Sequence, residues 1–336
     1  MKTILPQYII SEDASDTDGF ATLIYSSVGS DPTSGIWSAT SAYDEGDTVY
    51  YLDTSGVTNG CYVQYVALQD MHDNTGTGGT DDRGQNPETS PLYWSTLGAI
   101  DMYKMFDQYS NTVTTSSSNI IIRIKCSAIT SIAFLNVQAK NITINGWNTT
   151  SWGSVAESNK IIDDAIIDLT QPLNDWYEYF FKDFSYTRDL ANPLTIGGLY
   201  NNMILEIEFE KYADLDCSVG MVIPGREYVI GDLRYGVSTG IEDYSKKIFD
   251  ETFGSHYIQE GNYRKLMECD LIIENSKLNI INSVITQLRA RPTVWQGNDN
   301  GTAFDNLLIY GIPKSFNIVI SNINLSECSL EIEGII

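Results

Sequence analysis

Hydrophobic and polar residues alternate with a period of two along much of the chain. Between Leu205 and Glu210, apolar residues alternate with three Glu residues, so a strand here would carry its apolar side chains on one face and its carboxylates on the other. The C-terminal run 328–333 alternates in the same way. Such runs, bounded by Ser, Asn and Gly, predict a mainly β protein.

The middle of the chain, residues 97–214, is predicted to be one β-sandwich. Its apolar runs are 120–124, 129–137, 142–144 and 203–209. Short strands separated by turn residues over this length are typical of a sandwich of two sheets. A bulky aromatic run at 176–181 is interpreted as core, because such residues normally supply packing area.

The C-terminal part, residues 215–336, has longer elements. Alternating runs at 241–250 and 257–274 flank Gly254 and predict an extended hairpin. A helix is predicted over 275–291, with Asn275 as its N-cap and Pro292 forcing its end. Its apolar stripe is Leu278, Ile281, Ile285 and Leu288. Further strands are predicted at 293–296, 307–311, 316–320 and 328–333, which makes this part a β-sandwich with one helix.

The N-terminal part divides into a polar stretch and an aromatic one. Residues 1–35 are predicted to be an arm or first strand. Residues 36–96 are dense in aromatic residues interleaved with charged and small ones. A segment of this size cannot bury many large rings, because small folds enclose only a modest fraction of their surface. We therefore expect some of these rings to be exposed.

The charge of the chain restricts the class of ligand that exposed rings could bind. The whole chain has a formal net charge of -24, and residues 36–96 carry many carboxylates against the single Arg83. Stacking on nucleic acid normally requires a basic groove along the phosphates, and an anionic membrane would likewise repel this chain. Nucleic acid and membrane insertion are therefore not expected, and a neutral, hydroxyl-rich ligand fits better.

The aromatic segment resembles the small carbohydrate-binding modules of the chitin-binding type found in chitinases. The matching positions are Trp37, Tyr43, Gly46, Asp47, Val49, Tyr65, Pro87 and Trp94. Exposed aromatics in that family stack on N-acetylhexosamine rings. The resemblance implies a carbohydrate site at Trp37, Tyr43, Tyr51, Tyr65 and Trp94, where Tyr43→Ala or Trp94→Ala would weaken retention on chitin without unfolding the rest. The alternative is a core or assembly role for these rings.

Two further resemblances concern the rest of the chain. The segment from Tyr103 to Asp107 is similar to the early part of galactose-binding-like jelly rolls. The long hairpin, single helix and closing strand resemble the tube-forming β-sandwich of tailed-phage tail proteins, and the order of all segments resembles a family of phage virion proteins.

The phage resemblance implies a structural component of a tail tip, distal tail or baseplate. Such a protein would be made in the host cytoplasm, assemble with copies of itself and other tail proteins in the virion, and present its aromatic module to host-surface polysaccharide. The alternative is a stand-alone glycan-binding protein without an assembly role. The start of the chain lacks an apolar run of the signal-peptide type, which counts against that alternative.

No catalytic motif, cofactor or metal site is predicted. His72 and His256 stand apart from any hydrolase or metalloprotease pattern. His72 lies beside Asp70 and Asp73, but a solvated acidic loop is favoured over a metal site, which needs several convergent ligands. The chain is therefore not expected to be an enzyme.

The cysteines are interpreted as small buried hydrophobes. Cys61, Cys126, Cys217, Cys269 and Cys328 are odd in number and widely spaced, which is typical neither of a disulfide framework nor of a zinc site. Folding in a reducing compartment is expected.

Overall fold

The computed structural model describes residues 1–14, 20–53, 60–73, 81–109, 111–170, 177, 187–193, 199–250, 255–297 and 307–335. Within these ranges the chain is mainly β, as predicted, with several antiparallel sheets, one of which curls into a half-barrel. One helical segment of 13 residues lies among the strands, in addition to three-residue 3-10 helices at Lys104–Phe106, Trp152–Ser154 and Glu157–Asn159. None of the helical residues described forms a span long and apolar enough to cross a membrane.

The strands of the first half are β1 (Lys2–Pro6), β2 (Ile9–Ser11), β3 (Ala21–Ser26), β4 (Thr48–Leu52), β5 (Tyr62–Ala67), β6 (Trp94–Ala99), β7 (Thr114–Ser116), β8 (Ile120–Cys126), β9 (Ser131–Gln138), β10 (Asn141–Trp147) and β11 (Lys160–Asp168). Those of the second half are β12 (Thr187–Pro193), β13 (Met203–Glu210), β14 (Cys217–Val229), β15 (Asp232–Leu233), β16 (Ser238–Asp243), β17 (Lys246–Asp250), β18 (Ser255–Gln259), β19 (Tyr263–Glu274), β20 (Thr293–Gln296), β21 (Leu308–Val319) and β22 (Leu325–Gly334). The helix α1 (Leu278–Gln287) follows a 3-10 turn at Asn275–Lys277.

The N-terminal strand lies inside the largest sheet. The described strands of this sheet run in the order β12-β9-β14-β1-β20-β21-β22-β19-β15, with β7 and β16 pairing at its sides. Lys2 is paired with Val229 of β14 on one side and with Gln296 of β20 on the other. The prediction for residues 1–35 allowed an arm or a first strand, and Lys2–Pro6 of this stretch is a strand of the largest sheet. Its partners are more than two hundred residues away in sequence, so no local pattern identifies them.

Two sheets pack face to face and form a sandwich-like core. The second sheet has the order β11-β10-β13-β8-β3-β2. Its inward residues, such as Ile122, Ile144 and Phe209, meet Phe134 of β9 and Val219 of β14 in one buried cluster. The four strands predicted for residues 97–214 are all present, and their apolar runs supply this core, because alternation turns every second side chain inward.

The largest sheet continues across position 214, the predicted boundary between the middle and C-terminal units. β14 begins at Cys217 and pairs with β9 and β7, which precede that position. β14 also pairs with β1. Both faces of β9 and β14 are buried, since Ala133 and Met221 turn away from the sandwich into a further cluster with Ile4. The two predicted β units therefore share a sheet.

The helix packs against the C-terminal strands through its predicted apolar stripe. Ile281, Ile285 and Leu288 are buried beside Leu271 and Trp295. The helix is shorter than the predicted range 275–291, because α1 ends at Gln287.

Asn275 is not the N-cap, which corrects the sequence-based prediction. Its side-chain Nδ2 donates to the carbonyl oxygens of Asn322 and Ile323 (2.8 Å each), and its Oδ1 accepts from Ser326 Oγ (2.5 Å). The side chain therefore ties the start of the helical segment to the turn between β21 and β22.

The predicted long hairpin is present in two parts. Its base is β16 paired with β19 in the large sheet, and its outer part is β17 paired with β18 in a sheet of their own. Gly254 lies outside the described residues. The predicted strands 307–311 and 316–320 form the single strand β21, which has an irregularity between Pro313 and Ser315.

Two predictions about buried side chains have different outcomes. All five cysteines are free and buried, as predicted, and burial raises the pKa of each thiol. In the aromatic run 176–181, Tyr177 is 71% exposed, so the core prediction is wrong at that position. The other residues of that run lie outside the described residues.

Candidate functional site

The aromatic module is the three-stranded sheet β4-β5-β6 together with the segments 35–47, 68–73 and 81–93 that surround it. One face of the sheet carries its own apolar cluster, which includes Val49, Val63 and Met71. Residues that point to the other face, Leu52 and Tyr62, pack into the core of the sandwich. One face of the module's sheet therefore packs on the module's own cluster, and the other face packs on the core of the sandwich.

Two of the five predicted sugar-binding rings are core residues. Trp94 is 2% exposed and Tyr65 is 7% exposed. Burial, together with the nearby negative charges of Asp53 and Glu88, raises the pKa of Tyr65 to about 12. A ring enclosed on both faces offers no surface on which a sugar could stack. Because Trp94 is buried, we expect Trp94→Ala to destabilise the module itself and not simply to remove a sugar contact.

The other three predicted rings are half-buried and form edge contacts with this core. Trp37 lies 5.6 Å from Tyr51, measured between ring centroids, and Tyr51 lies 6.4 Å from Tyr65. Tyr43 meets Trp94 edge-on at 5.2 Å. Edge-to-face contacts of this kind fix ring orientation. Trp37, Tyr43 and Tyr51 therefore remain the candidates for a carbohydrate surface.

Loop residues hold these rings in place through hydrogen bonds. Asn86 Nδ2 donates to the hydroxyl of Tyr51 (2.8 Å), and Trp94 Nε1 donates to the carbonyl oxygen of Gln85 (2.8 Å). The backbone N–H of Ser38 donates to the hydroxyl of Tyr43 (2.7 Å). The segment Gly84–Pro87 thus positions both a buried ring and a half-buried one.

Three side chains of the kinds that can ligate a metal ion lie close together at the edge of the module. Ligand atoms of Asp44, Asp70 and His72 are all within 4.8 Å of one another, and His72 Nε2 is 2.9 Å from Asp44 Oδ1. Asp73, which the sequence placed beside His72, instead pairs with Arg83 (2.6 Å). The Asp44 side chain is 75% exposed, so these residues form an open surface group rather than an enclosed centre.

Three other surface features were not found from the sequence. The outer part of the long hairpin exposes several large apolar side chains, and so does the turn between β21 and β22. A cleft also opens beside Tyr50, between the module and the loop that follows β3. Alternation predicted the strands around these features, but the pattern of a strand does not tell which of its faces is left uncovered.

Models of known protein families produce no match to the chain, and the curated proteins contain no significant match. The function must therefore be argued from the residues and their arrangement.

Proposed function

We propose that this chain is a structural component of a bacteriophage tail, at the tail tip, distal tail or baseplate. In this proposal it assembles with copies of itself into a symmetric oligomer and presents the aromatic module to glycans of the host surface. The family resemblances described above suggest this role. The observation that carries the assembly part is the outer ribbon of the long hairpin.

The ribbon consists of β17 and β18, which pair only with each other among the described strands. Its apolar side chains are exposed: Ile248 36%, Phe249 53%, Tyr257 62% and Ile258 71%. Ile248 lies opposite Tyr257, and the adjacent pairs place Phe249 and Ile258 on the other face. A two-stranded ribbon alone in water is marginally stable. Apolar residues on both faces therefore favour a ribbon that is covered by another molecule.

A second apolar surface lies at the opposite end of β19. The turn between β21 and β22 exposes Ile320 (72%) and Ile323 (93%), and Ile280 of α1 is 59% exposed. Asn275 ties this turn to the helical segment. β19 has 12 residues, so it separates the two surfaces by about 40 Å. Two different surfaces at opposite ends suit a head-to-tail contact between copies, which produces rings or stacks.

The display part of the proposal depends on the half-buried rings. Trp37, Tyr43 and Tyr51 keep part of their surface accessible, and the acidic surroundings disfavour polyanionic ligands. Weak sugar contacts are sufficient for attachment when many copies act together on one assembly. This multivalency connects the assembly part of the proposal to the display part.

The assembly part is tested by the size of the purified protein in solution. Light scattering coupled to size-exclusion chromatography at about 100 µM, followed by electron microscopy, should find a closed or stacked oligomer for the wild type. The double variant Phe249→Ser, Ile258→Ser should be a monomer. Ile166→Ser is the matched control, since Ile166 is 64% exposed on β11 and its replacement should leave the oligomer intact.

Two results would contradict the proposal. A wild type that stays monomeric and is retained on chitin would favour the stand-alone glycan-binding protein. A ribbon variant that assembles as the wild type does would remove the ribbon as the contact. Mass spectrometry of purified phage particles should detect the chain if it is a virion component.

A further inference from the structure

A cleft of about 370 Å³ opens at the junction between the aromatic module and the sandwich. It lies between the loop 28–34, Tyr50 of β4 and the segment 100–102. Its volume is within the range of pockets that hold small molecules, and such pockets occur preferentially where two structural units meet. None of the five ring residues predicted from the sequence lines it.

The cleft is lined both by apolar residues and by residues that carry hydroxyls. Val28, Tyr50 and Ile100 are half-buried and pack against the sandwich core, so their position is set by that core. Three residues that carry hydroxyls, Ser30, Thr33 and Ser34 of the loop 28–34, also line the cleft. A pyranose ring has the matching character, because its C–H groups form an apolar face and its hydroxyls project from the edge.

Two parts of the cleft wall are held in fixed positions. Asp31 accepts hydrogen bonds from Ser11 Oγ (2.8 Å) and from the hydroxyl of Tyr103 (2.7 Å), a fully buried residue. A carboxylate has about four acceptor positions, so Asp31 can accept further donors from a ligand. Tyr50 is held through its backbone, since its N–H donates to the carbonyl oxygen of Gly35 (2.9 Å) and its carbonyl oxygen accepts from the N–H of Trp37 (2.9 Å).

Charge in the cleft selects against anionic ligands. Asp31 and Asp101 both line it, and Lys104 pairs with Asp101 (2.5 Å). The two carboxylates against one ammonium group would repel a sugar acid. They would accept hydrogen bonds from the hydroxyls of a neutral sugar, and such charge-assisted bonds are the stronger kind.

We propose that this cleft binds one neutral hexose or N-acetylhexosamine unit of a glycan. The ring would lie with its C–H face on Tyr50 and Ile100, and its hydroxyls would donate to Asp31 and Asp101. The inference deepens the glycan-binding part of the proposed function and rests on it for the class of ligand. It does not depend on assembly.

Saturation-transfer NMR with the full chain tests the cleft directly. The probes are glucose, galactose, mannose and N-acetylglucosamine, with glucuronate as the anionic comparison. At least one neutral sugar should receive saturation, most strongly at its ring C–H protons, and glucuronate should receive less. Ser34→Trp, at an exposed position on the cleft wall, should abolish the signal. Ser117→Trp, exposed and outside the cleft, should leave it unchanged.

A second pair of variants keeps the shape of the cleft. Asp101→Asn should raise the Kd about tenfold, because it replaces a charged acceptor by a neutral one. Lys104→Gln removes the same ion pair but keeps the carboxylate, and it should bind at least as well as the wild type.

Three results would overturn the inference. They are a signal that persists in Ser34→Trp, a preference for glucuronate, and the absence of any signal from the neutral sugars. A signal lost in Trp37→Ala but kept in Ser34→Trp would place the sugar on the half-buried rings, so the glycan-binding function would stand while the cleft would not. Ser34→Trp should still form the oligomer, which separates this test from that of assembly.

Discussion

The burial of Trp94 leads to a prediction opposite to the one that the sequence suggested. Trp94→Ala should destabilise the module rather than remove a sugar contact. The side chain is 2% exposed and touches Tyr43 edge-on, and replacing a buried Trp by Ala costs about 3–5 kcal/mol. Loss of the bond from Nε1 to Gln85 adds about 1 kcal/mol. Folded domains are stable by only about 5–15 kcal/mol, so a loss of this size would remove a large part of the stability that holds the module folded.

Hydrogen exchange read by mass spectrometry is the suitable assay because it locates the change. In Trp94→Ala the amides of β4, β5 and β6 should lose protection, while those of β9 and β14 should keep most of theirs. Trp37→Ala is the matched control: Trp37 is half-buried at the edge of the same cluster, and its replacement should leave protection in β5 nearly unchanged.

One outcome would contradict this prediction. If Trp94→Ala keeps wild-type protection throughout the module and yet loses retention on chitin, Trp94 acts as a sugar-stacking ring. The assignment of this residue to the core would then be wrong. If the variant keeps both normal protection and normal retention on chitin, the loss of Trp94 packing costs less free energy than the value given above.

Two further predictions concern stability. Burial raises the pKa of Asp107 to about 6, above its value in the unfolded chain. The ionised carboxylate therefore lowers the free energy of unfolding at neutral pH. This loss, at most about 3 kcal/mol, is regained as the pH falls from about 7 to about 4. Asp107→Asn keeps an Oδ1 acceptor for Tyr109 N and Thr112 Oγ1, so urea unfolding at pH 8 should show a gain of about 2 kcal/mol, with none at pH 4; a loss at pH 8 would contradict this. Ala290 has φ 60° just after α1, where Gly is favoured, so Ala290→Gly should raise the unfolding free energy by about 1 kcal/mol. The control Ser283→Gly, exposed within the helix, should lower it by about 0.5 kcal/mol, and an equal effect of both changes would contradict the conformational explanation.

Local alternation was sufficient to predict strands and the direction of their side chains. In β13 the residues Leu205, Ile207 and Phe209 are fully buried, as the period of two requires. Their Glu neighbours were predicted to share the opposite face, with no partner assigned. On that face Glu206 pairs with Arg123 (2.7 Å) and Glu210 with Lys140 (2.8 Å), because β8 and the turn before β10 bring basic side chains there. The alternation contains no information about the neighbouring strand.

Helix boundaries were predicted less well than the helix itself. The apolar stripe identified α1, since residues three and four apart share a face. The cap prediction at Asn275 was wrong because its amide bonds to the turn at 322–323, nearly fifty residues further along the chain. A side chain with both donor and acceptor groups takes the partners that the tertiary fold places nearest, and local sequence offers only some of them.

The sequence alone determined that the chain is mainly β, where several of its strands and the helix lie, and that the thiols are small apolar residues, because these properties depend on neighbours a few positions away. Only the tertiary structure decided that β1 lies inside the largest sheet, that Tyr65 and Trp94 are enclosed while Trp37 is not, and that Asp31 meets Tyr50 across a cleft. Alternation states which side chains share a face. The residues that cover that face are distant in the chain. Whether they cover an aromatic ring decides whether the ring belongs to the core or can bind a ligand.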